Sequence, residues 1–209
     1  MIIAVDGPTA SGKGTIAKAL AQHYRLPHLD TGLLYRAVGR QVFLDGGDPD
    51  SAGDALSGCA FPDGLLLDPE LRTEDTGGLA SRVSVHRSVR EALFERQRSF
   101  ALQPGGAVLD GRDVGTVIAP EAEVKLFVVA SVEARALRRW KEMQERGNDR
   151  TLAEIEEDLR LRDERDRNRA EAPLRAADDA VVLDTSDLGR DEAIAAAIAL
   201  VERQLALQR

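Results

Sequence analysis

Gly7-Pro8-Thr9-Ala10-Ser11-Gly12-Lys13-Gly14-Thr15 is the stretch whose reading decides the fold. Met1-Ile2-Ile3-Ala4-Val5-Asp6, before it, reads as a buried strand, and Ile16-Ala17-Lys18-Ala19-Leu20-Ala21, after it, reads as a helix with Ile16, Ala19 and Leu20 on one face. Strand, glycine-rich turn and helix form the context of a phosphate-binding loop. Glycines let backbone N–H groups converge on an anion, and a helix start adds unpaired donors and the positive end of its dipole. Lys13 adds a full charge for β- and γ-phosphates. The spacing from Gly7 to Gly12-Lys13 fits the nucleotide-loop pattern, except that Gly14 stands where a Ser or Thr usually ligates Mg²⁺ and Thr15 follows one residue later.

Working outward, strands alternate with helices. Leu26–Asp30, Ala107–Asp110, Val124–Val129 and Ala180–Asp184 read as further strands. Helices are expected from Thr31-Gly32 (with Leu34, Tyr35, Val38, Val42 and Phe43 as its apolar residues), over about 85–102, from Ser131 to near Gly147, from the capping box Thr151/Glu154, and over about 191–207. Residues 50–78 read as irregular, with Leu65-Leu66-Leu67 as a short strand. This order implies one α/β domain over residues 1–209: three layers, α/β/α, around a parallel sheet of about five strands.

The 209 residues suffice for one sizeable core with appended lobes. A net charge of -8 argues against a general nucleic-acid or anionic-membrane binder. Aromatics at 4% leave little for base stacking along a strand. The single cysteine, Cys59, excludes an intrachain disulfide and a cysteine metal cage. No apolar run approaches a membrane span. With a strand already at the first residues no signal peptide is expected, so a cytoplasmic protein is the default.

Three further segments carry chemistry. The helix from Thr151 has an apolar stripe, Ile155 and Leu159, that continues as Arg162, Asp166 and Arg169. Such a face either pairs locally in solvent or enters a polar cavity. Beside a phosphate loop, Arg162, Arg165, Arg167 and Arg169 read as a phosphoryl clamp, since guanidinium groups match phosphate oxygens bidentately. Asp110-Gly111-Arg112-Asp113 follows a strand, where ligands of open α/β sheets sit. Asp110 is placed to hold Mg²⁺ directly or through water, Arg112 a phosphate and Asp113 a ligand amine. Asp30–Arg36 lies after the second strand, where Tyr35 and Arg36 can reach a second phosphate, while Thr31 can equally be a helix cap. Arg135, Arg138, Arg139 and Arg146 are expected on one polar side of their helix, opposite Val132, Ala136, Trp140 and Met143. His23, His28 and His86 show no metal spacing.

Together these segments resemble a family. Gly-Lys-Gly-Thr at 12–15, Asp-Thr-Gly-x-x-Tyr-Arg at 30–36, Val-Arg-Glu-Ala-Leu at 89–93, Asp-Gly-Arg-Asp-Val-Gly-Thr at 110–116 and Arg-Asp-x-Arg-Asp-Arg-Asn-Arg at 162–169 are similar to the bacterial cytidylate kinases, within the nucleoside monophosphate kinases. The resemblance implies phosphoryl transfer from ATP to CMP or dCMP with Mg²⁺. It implies that residues 7–15, with Arg138, bind ATP, and that Thr15 and Asp110 serve the metal. It places Thr31, Tyr35, Arg36, Ser81, Arg90, Arg112, Asp113, Arg162, Asp166 and Arg169 around the monophosphate. Arg36, Arg112 and Arg169 would take its phosphate, Ser81, Arg90 and Asp113 the cytosine edge, and Arg162 and Asp166 the ribose. Lys13, Asp110, Arg112, Arg165, Arg167 and Arg169 form the expected catalytic set, with Arg165 and Arg167 in a mobile lid. A monophosphate-binding lobe is expected over about 37–100 and the lid over about 147–170, in a monomer that binds neither nucleic acid nor membrane. Members commonly carry a longer β-rich insertion in that lobe. Between Leu56 and Leu79 this chain is too short for a three-stranded sheet. A kinase of another small acceptor, such as a shikimate-type metabolite, shares the loop, and so does a nucleotide-dependent switch.

Overall fold

The computed structural model describes residues 1–145, 147 and 149–207. Five strands, β1 (Ile2–Asp6), β2 (His28–Asp30), β3 (Ala107–Gly111), β4 (Val124–Val129) and β5 (Val181–Asp184), form one sheet in the order β2-β3-β1-β4-β5. Every pairing is parallel. The register sets Asp6 beside Gly111 and Phe127, and Asp30 beside Asp110, so the carboxyl ends of β1, β2 and β3 share one rim. The chain leaves β1 toward β2 on one side and returns to its neighbour β4 on the other. That is the switch point where open α/β sheets bind ligands.

Most residues on β1, β3 and β4 are apolar and buried because helices cover both faces, with Asp6, Asp110 and Lys125 as the buried charges. On one face Ile3, Val5 and Leu126 pack with Ile16 and Leu20 of α1 (Lys13–Tyr24) and with Ala197 and Val201 of α8 (Arg190–Leu207). On the other, Ala4 and Leu109 pack with Ala101 of α5 (Arg87–Ala101) and Ile118 of a π-helical turn, Val114–Ile118.

Two helical groups extend from this sandwich. In one, Leu34 and Val38 of α2 (Thr31–Leu44) meet Ala55 of α3 (Ala52–Ser57), Val83 of α4 (Glu74–Val83), and Val89 and Leu93 of α5. In the other, Ala136 and Met143 of α6 (Val132–Glu145) meet Ile155 and Leu159 of α7 (Leu152–Asn168). The expected caps are present on α6 and α7. Ser131 Oγ accepts the Ala134 N–H, and Thr151 and Glu154 complete a reciprocal capping box. Arg146 lies outside the described residues.

Several local expectations need correction. Leu65–Leu67 lie in a 3-10 turn, Asp63–Leu67. With no partner strand nearby, the segment satisfies its backbone locally, Leu65 N to Pro62 O and Asp68 N to Leu65 O, both at 2.9 Å. Residues 50–78, read as irregular, contain α3 and the start of α4. Gly77 and Gly78 hide α4 because glycine is a poor helix former. A Thr73 cap and the acidic first turn of Glu74 and Asp75 set its start instead. The helix expected over 85–102 begins at Arg87, leaving Val85 exposed before it. Phe43 is exposed and outside the α2 core, one position beyond the buried Val42. Asp30, rather than Thr31, caps α2 by accepting the Leu33 N–H. No strand occurs between β2 and β3 among the described residues, as the short segment there predicts. No helix among them is long and apolar enough to cross a membrane.

Candidate active site

The loop from Gly7 turns directly into α1. Gly12 takes the left-handed conformation at the helix N-cap (φ 88°), and no side chain caps the helix start. The first-turn N–H groups therefore face the cleft as anion donors. Ala10 is also left-handed (φ 61°), a strained state for a residue with a Cβ, and it lies in the loop. A Cβ on Gly7 would collide with the Val128 carbonyl, so this close approach to β4 requires glycine. Thr185, after β5, braces the loop through Oγ1 to Ser11 O at 3.0 Å.

A cleft of about 630 Å³ opens over the loop, lined by residues 9–16, Asp110, Arg112, Arg138 and Arg139. Burial dominates the Lys13 amine and lowers its pKa from 10.5 to about 8. The Arg112 charge adds to this, while Asp110 and Asp30 oppose it. Arg138 donates to the Thr185 carbonyl and to Thr185 Oγ1 at 3.2 Å, and lines the cleft from α6.

Beside the cleft lies a smaller cavity of about 80 Å³. Its walls include all ten residues expected around a monophosphate, contributed by α2, α4, α5, the turn after β3, and α7 with the residue that follows it. Thr9, Gly32, Arg36 and Arg112 line both spaces and mark their junction. The cavity is small because its charged residues pair with one another. Arg90 donates to Asp113 Oδ2, and Arg169 lies 3.7 Å from Asp113 Oδ1. Arg112 donates through Nε to Asp166 Oδ2 at 2.8 Å and through Nη2 to Thr9 Oγ1 at 2.5 Å. Ligand pockets usually measure about 300–1,000 Å³, so occupancy requires these pairs to part. Tyr35 is buried beneath the Arg90 guanidinium, 5.5 Å from ring centroid to Cζ. Thr31 Oγ1 donates to the Asp110 carbonyl at 2.8 Å.

The stripe on α7 thus enters a polar cavity. Arg162 and Asp166 are buried, and their partners come from elsewhere in the chain, not from the local pairing a solvated face would show. Arg162 lies 3.2 Å from Glu74 Oε2, and Arg139 pairs with the other oxygen of that carboxylate. Burial first, then the nearby Arg162 and Arg139 charges, lower the Arg36 pKa to about 10. Arg165 and Arg167 are exposed. Arg165 Nε donates to Leu161 O at 3.4 Å within its own helix, and Arg167 lies 3.9 Å from Asp163. The fold does not bring them to the cavity walls.

Three features escape the sequence reading. Asp6, the only acid in its strand, accepts Val114 N at 2.9 Å and Gly115 N at 2.7 Å. Burial raises its pKa to about 7, partly countered by those two bonds. An acid ending an apolar strand beside a phosphate loop was the available signal. Arg135, expected on the polar side of α6, is wholly buried and pairs with Asp163. The reason is the packing of α7 over that face. Glu74 carried no signal, lying in a segment without readable periodicity.

For a hard cation the available donors are oxygens. Asp110 is buried with Oδ1 on His28 Nε2 at 2.7 Å, and its Oδ2 lies 3.6 Å from where a Gly14 Cβ would stand. Thr15 lines the same cleft. No group of three or more His, Cys, Asp or Glu ligands occurs among the described residues. This donor set fits Mg²⁺, which keeps several waters and needs few protein carboxylates when phosphates supply the rest.

A family model described as cytidylate kinase matches residues 3–203. The cytidylate kinase of Xanthobacter autotrophicus is 56% identical over 207 residues, covering 99% of each chain. That of Cereibacter sphaeroides is 54% identical over 207 residues, covering 99% of this chain and 98% of its own. That of a Caulobacter species is 55% identical over 202 residues, covering 96% and 94%. Among solved structures, an uncharacterized protein from Eubacterium ventriosum shares the fold at a TM-score of 0.55 and 16% identity, over 99% of this chain and 98% of that one.

Proposed function

This chain belongs to the cytidylate kinase family, and on that premise we propose how its residues transfer the ATP γ-phosphoryl group to CMP or dCMP. The larger cleft takes ATP and the smaller cavity the monophosphate. The observation that carries this reading is the junction of the two spaces, where Arg36 and Arg112 face both.

An oxygen of the acceptor phosphate attacks the γ-phosphorus, and the bond to the β–γ bridging oxygen breaks, leaving ADP and CDP. The attacking oxygen is already anionic, so no general base is needed. The protein supplies position and charge. The α1 N–H groups and Lys13 hold the β- and γ-phosphates. Arg36, Arg112 and Arg169 hold the acceptor phosphate. Asp110 and Thr15 would hold Mg²⁺, which would supply positive charge to offset that of the phosphates. Arg162 and Asp166 take the ribose. Ser81, Arg90 and Asp113 read the base, where a carboxylate accepts from the cytosine amino group and repels the uracil carbonyl. Arg138 flanks the donor nucleotide.

Residues of about 37–100 act as the monophosphate-binding lobe and those of about 147–170 as a lid carrying Arg165 and Arg167. Their closure excludes water that would otherwise take the phosphoryl group. The reading includes a cytoplasmic monomer acting on small molecules.

ADP release with purified protein, ATP and Mg²⁺ tests this, with CMP, dCMP, UMP, AMP, shikimate or water as acceptor. Release with CMP and dCMP alone is expected. Release with a different acceptor would discard the base-reading assignments, and no acceptor dependence would discard the kinase reading.

A further inference from the structure

The turn leading into α4 is held from two sides. From α2, Arg36 Nη1 donates to the carbonyls of Leu71 and Thr73, both at 2.8 Å. From the opposite side, Arg162 of α7 donates to the Glu74 backbone carbonyl at 3.1 Å and lies 3.2 Å from its Oε2. Arg139 of α6 pairs with Oε1 of the same side chain. Thr73 caps α4, which fixes Glu74 as its first residue. The Glu74 side chain is 15% exposed.

This carboxylate stands between the two substrate spaces. Arg139 lines the larger cleft, and Arg162 the smaller cavity. Arg36 faces both and holds the backbone just before Glu74, while two guanidinium groups, those of Arg139 and Arg162, converge on its carboxylate. Charges of one sign held this close in a partly dry site need a counter-charge, or the elements that carry them separate. Glu74 is the acid that meets Arg139 and Arg162 together, and it comes from a third element.

We propose that Glu74 is a positioning residue that couples the two substrate sites, tying α4 to α6 and α7 so that closure for one substrate sets the arginines for the other. The inference rests on the reading of these spaces as the ATP and CMP sites. Its energetic basis is differential contact. The Glu74 pairs exist only when the three helices are together, so whichever substrate draws them together reduces what the second must supply. Loss of Glu74 leaves each space with its own ligand contacts and removes the link between them.

Calorimetry of CMP binding, with and without a non-hydrolysable ATP analogue, measures that link directly. In the wild type the analogue tightens CMP binding. In Glu74→Gln, which keeps size and one acceptor oxygen but loses the charge, the tightening factor falls at least about fivefold. Arg139→Gln, which breaks only the Arg139–Glu74 pair, also lowers the factor, and the double variant loses no more than Glu74→Gln alone, because that variant has already lost the pair. A general loss of structure would instead weaken CMP binding without the analogue. If Glu74→Gln does not fold, Arg139→Gln carries the test. An unchanged factor, or losses that add in the double variant, overturns the inference. A wild type that does not phosphorylate CMP refutes the underlying reading instead, so the two failures are distinct.

Discussion

Arg135 and Asp163 face each other between α6 and α7 with two hydrogen bonds, 3.1 and 2.6 Å, and side-chain exposures of 1% and 5%. The same guanidinium donates to the carbonyls of Thr9 at 3.1 Å and Ala130 at 3.0 Å. The phosphate loop and the helix bearing Arg162 and Asp166 are therefore pinned by one buried cation. Asp163→Ala leaves that cation without its partner and should cost about 3–5 kcal/mol of stability. Urea denaturation checks this, and a loss below about 1 kcal/mol would show the pair to be dispensable.

Lys13 should set the alkaline limb of activity. Its pKa, lowered to about 8 in the free protein, means that kcat/KM for ATP falls as pH rises above about 8. Bound phosphates favour the charged amine, so kcat should hold to higher pH. Stability runs the other way. The native pKa lies below the unfolded 10.5, so the unfolding free energy rises between about pH 8 and 10.5. Lys13→Ala should abolish transfer, and near-wild-type turnover of that variant would refute the loop assignment.

Asp6 should leave a signature at the acid side. Its native pKa is raised from 3.8 to about 7, so the unfolded chain releases this proton first. The contribution is present below pH 3.8 and is lost as pH rises through about 7. Thermal melts of Asp6→Asn against the wild type should differ in pH slope across that window and run parallel above it. Identical slopes would place the Asp6 titration elsewhere.

Gly77 should discriminate the two substrates. A Cβ there would stand 2.9 Å from Arg36 Nη2 and 3.2 Å from Arg162 Nη1. Gly77→Ala is expected to raise KM for CMP about tenfold, or about 1.4 kcal/mol, while KM for ATP changes little. Steady-state kinetics with each substrate varied in turn decides this. Equal effects on both would point to a general disturbance of α4.

Where the sequence was legible, one physical signal dominated. β4 is apolar apart from Lys125, and its bounds match the expected Val124–Val129. The stripe Ile155, Leu159, Arg162, Asp166 was readable because helix periodicity persists when residue chemistry changes, and all four side chains are buried. The segment around α4 was opaque for the opposite reason. Gly77 and Gly78 remove the apolar pattern there, and the close approach of Arg36 and Arg162 that makes Gly77 useful is a tertiary fact. Arg135 misled because an arginine on an amphipathic helix is ordinarily solvated, and its buried partner lies on another helix. The partners of Glu74 are likewise 65 and 88 residues distant.

The placement of β1 has a consequence for how the chain acquires its structure. Its two sheet neighbours begin at Ala107 and Val124, so the strand feeding the phosphate loop has no lateral partner until more than a hundred further residues have been synthesised. Contacts of such long sequence separation form late and slow folding. The helical group between β2 and β3, whose contacts are far more local, can condense while β1 still waits. A nascent chain therefore seats its glycine-rich loop on a sheet only after the helical group before β3 has been made, and the apolar stretch Ile2-Ile3-Ala4-Val5 is the segment a chaperone would meet exposed on the ribosome.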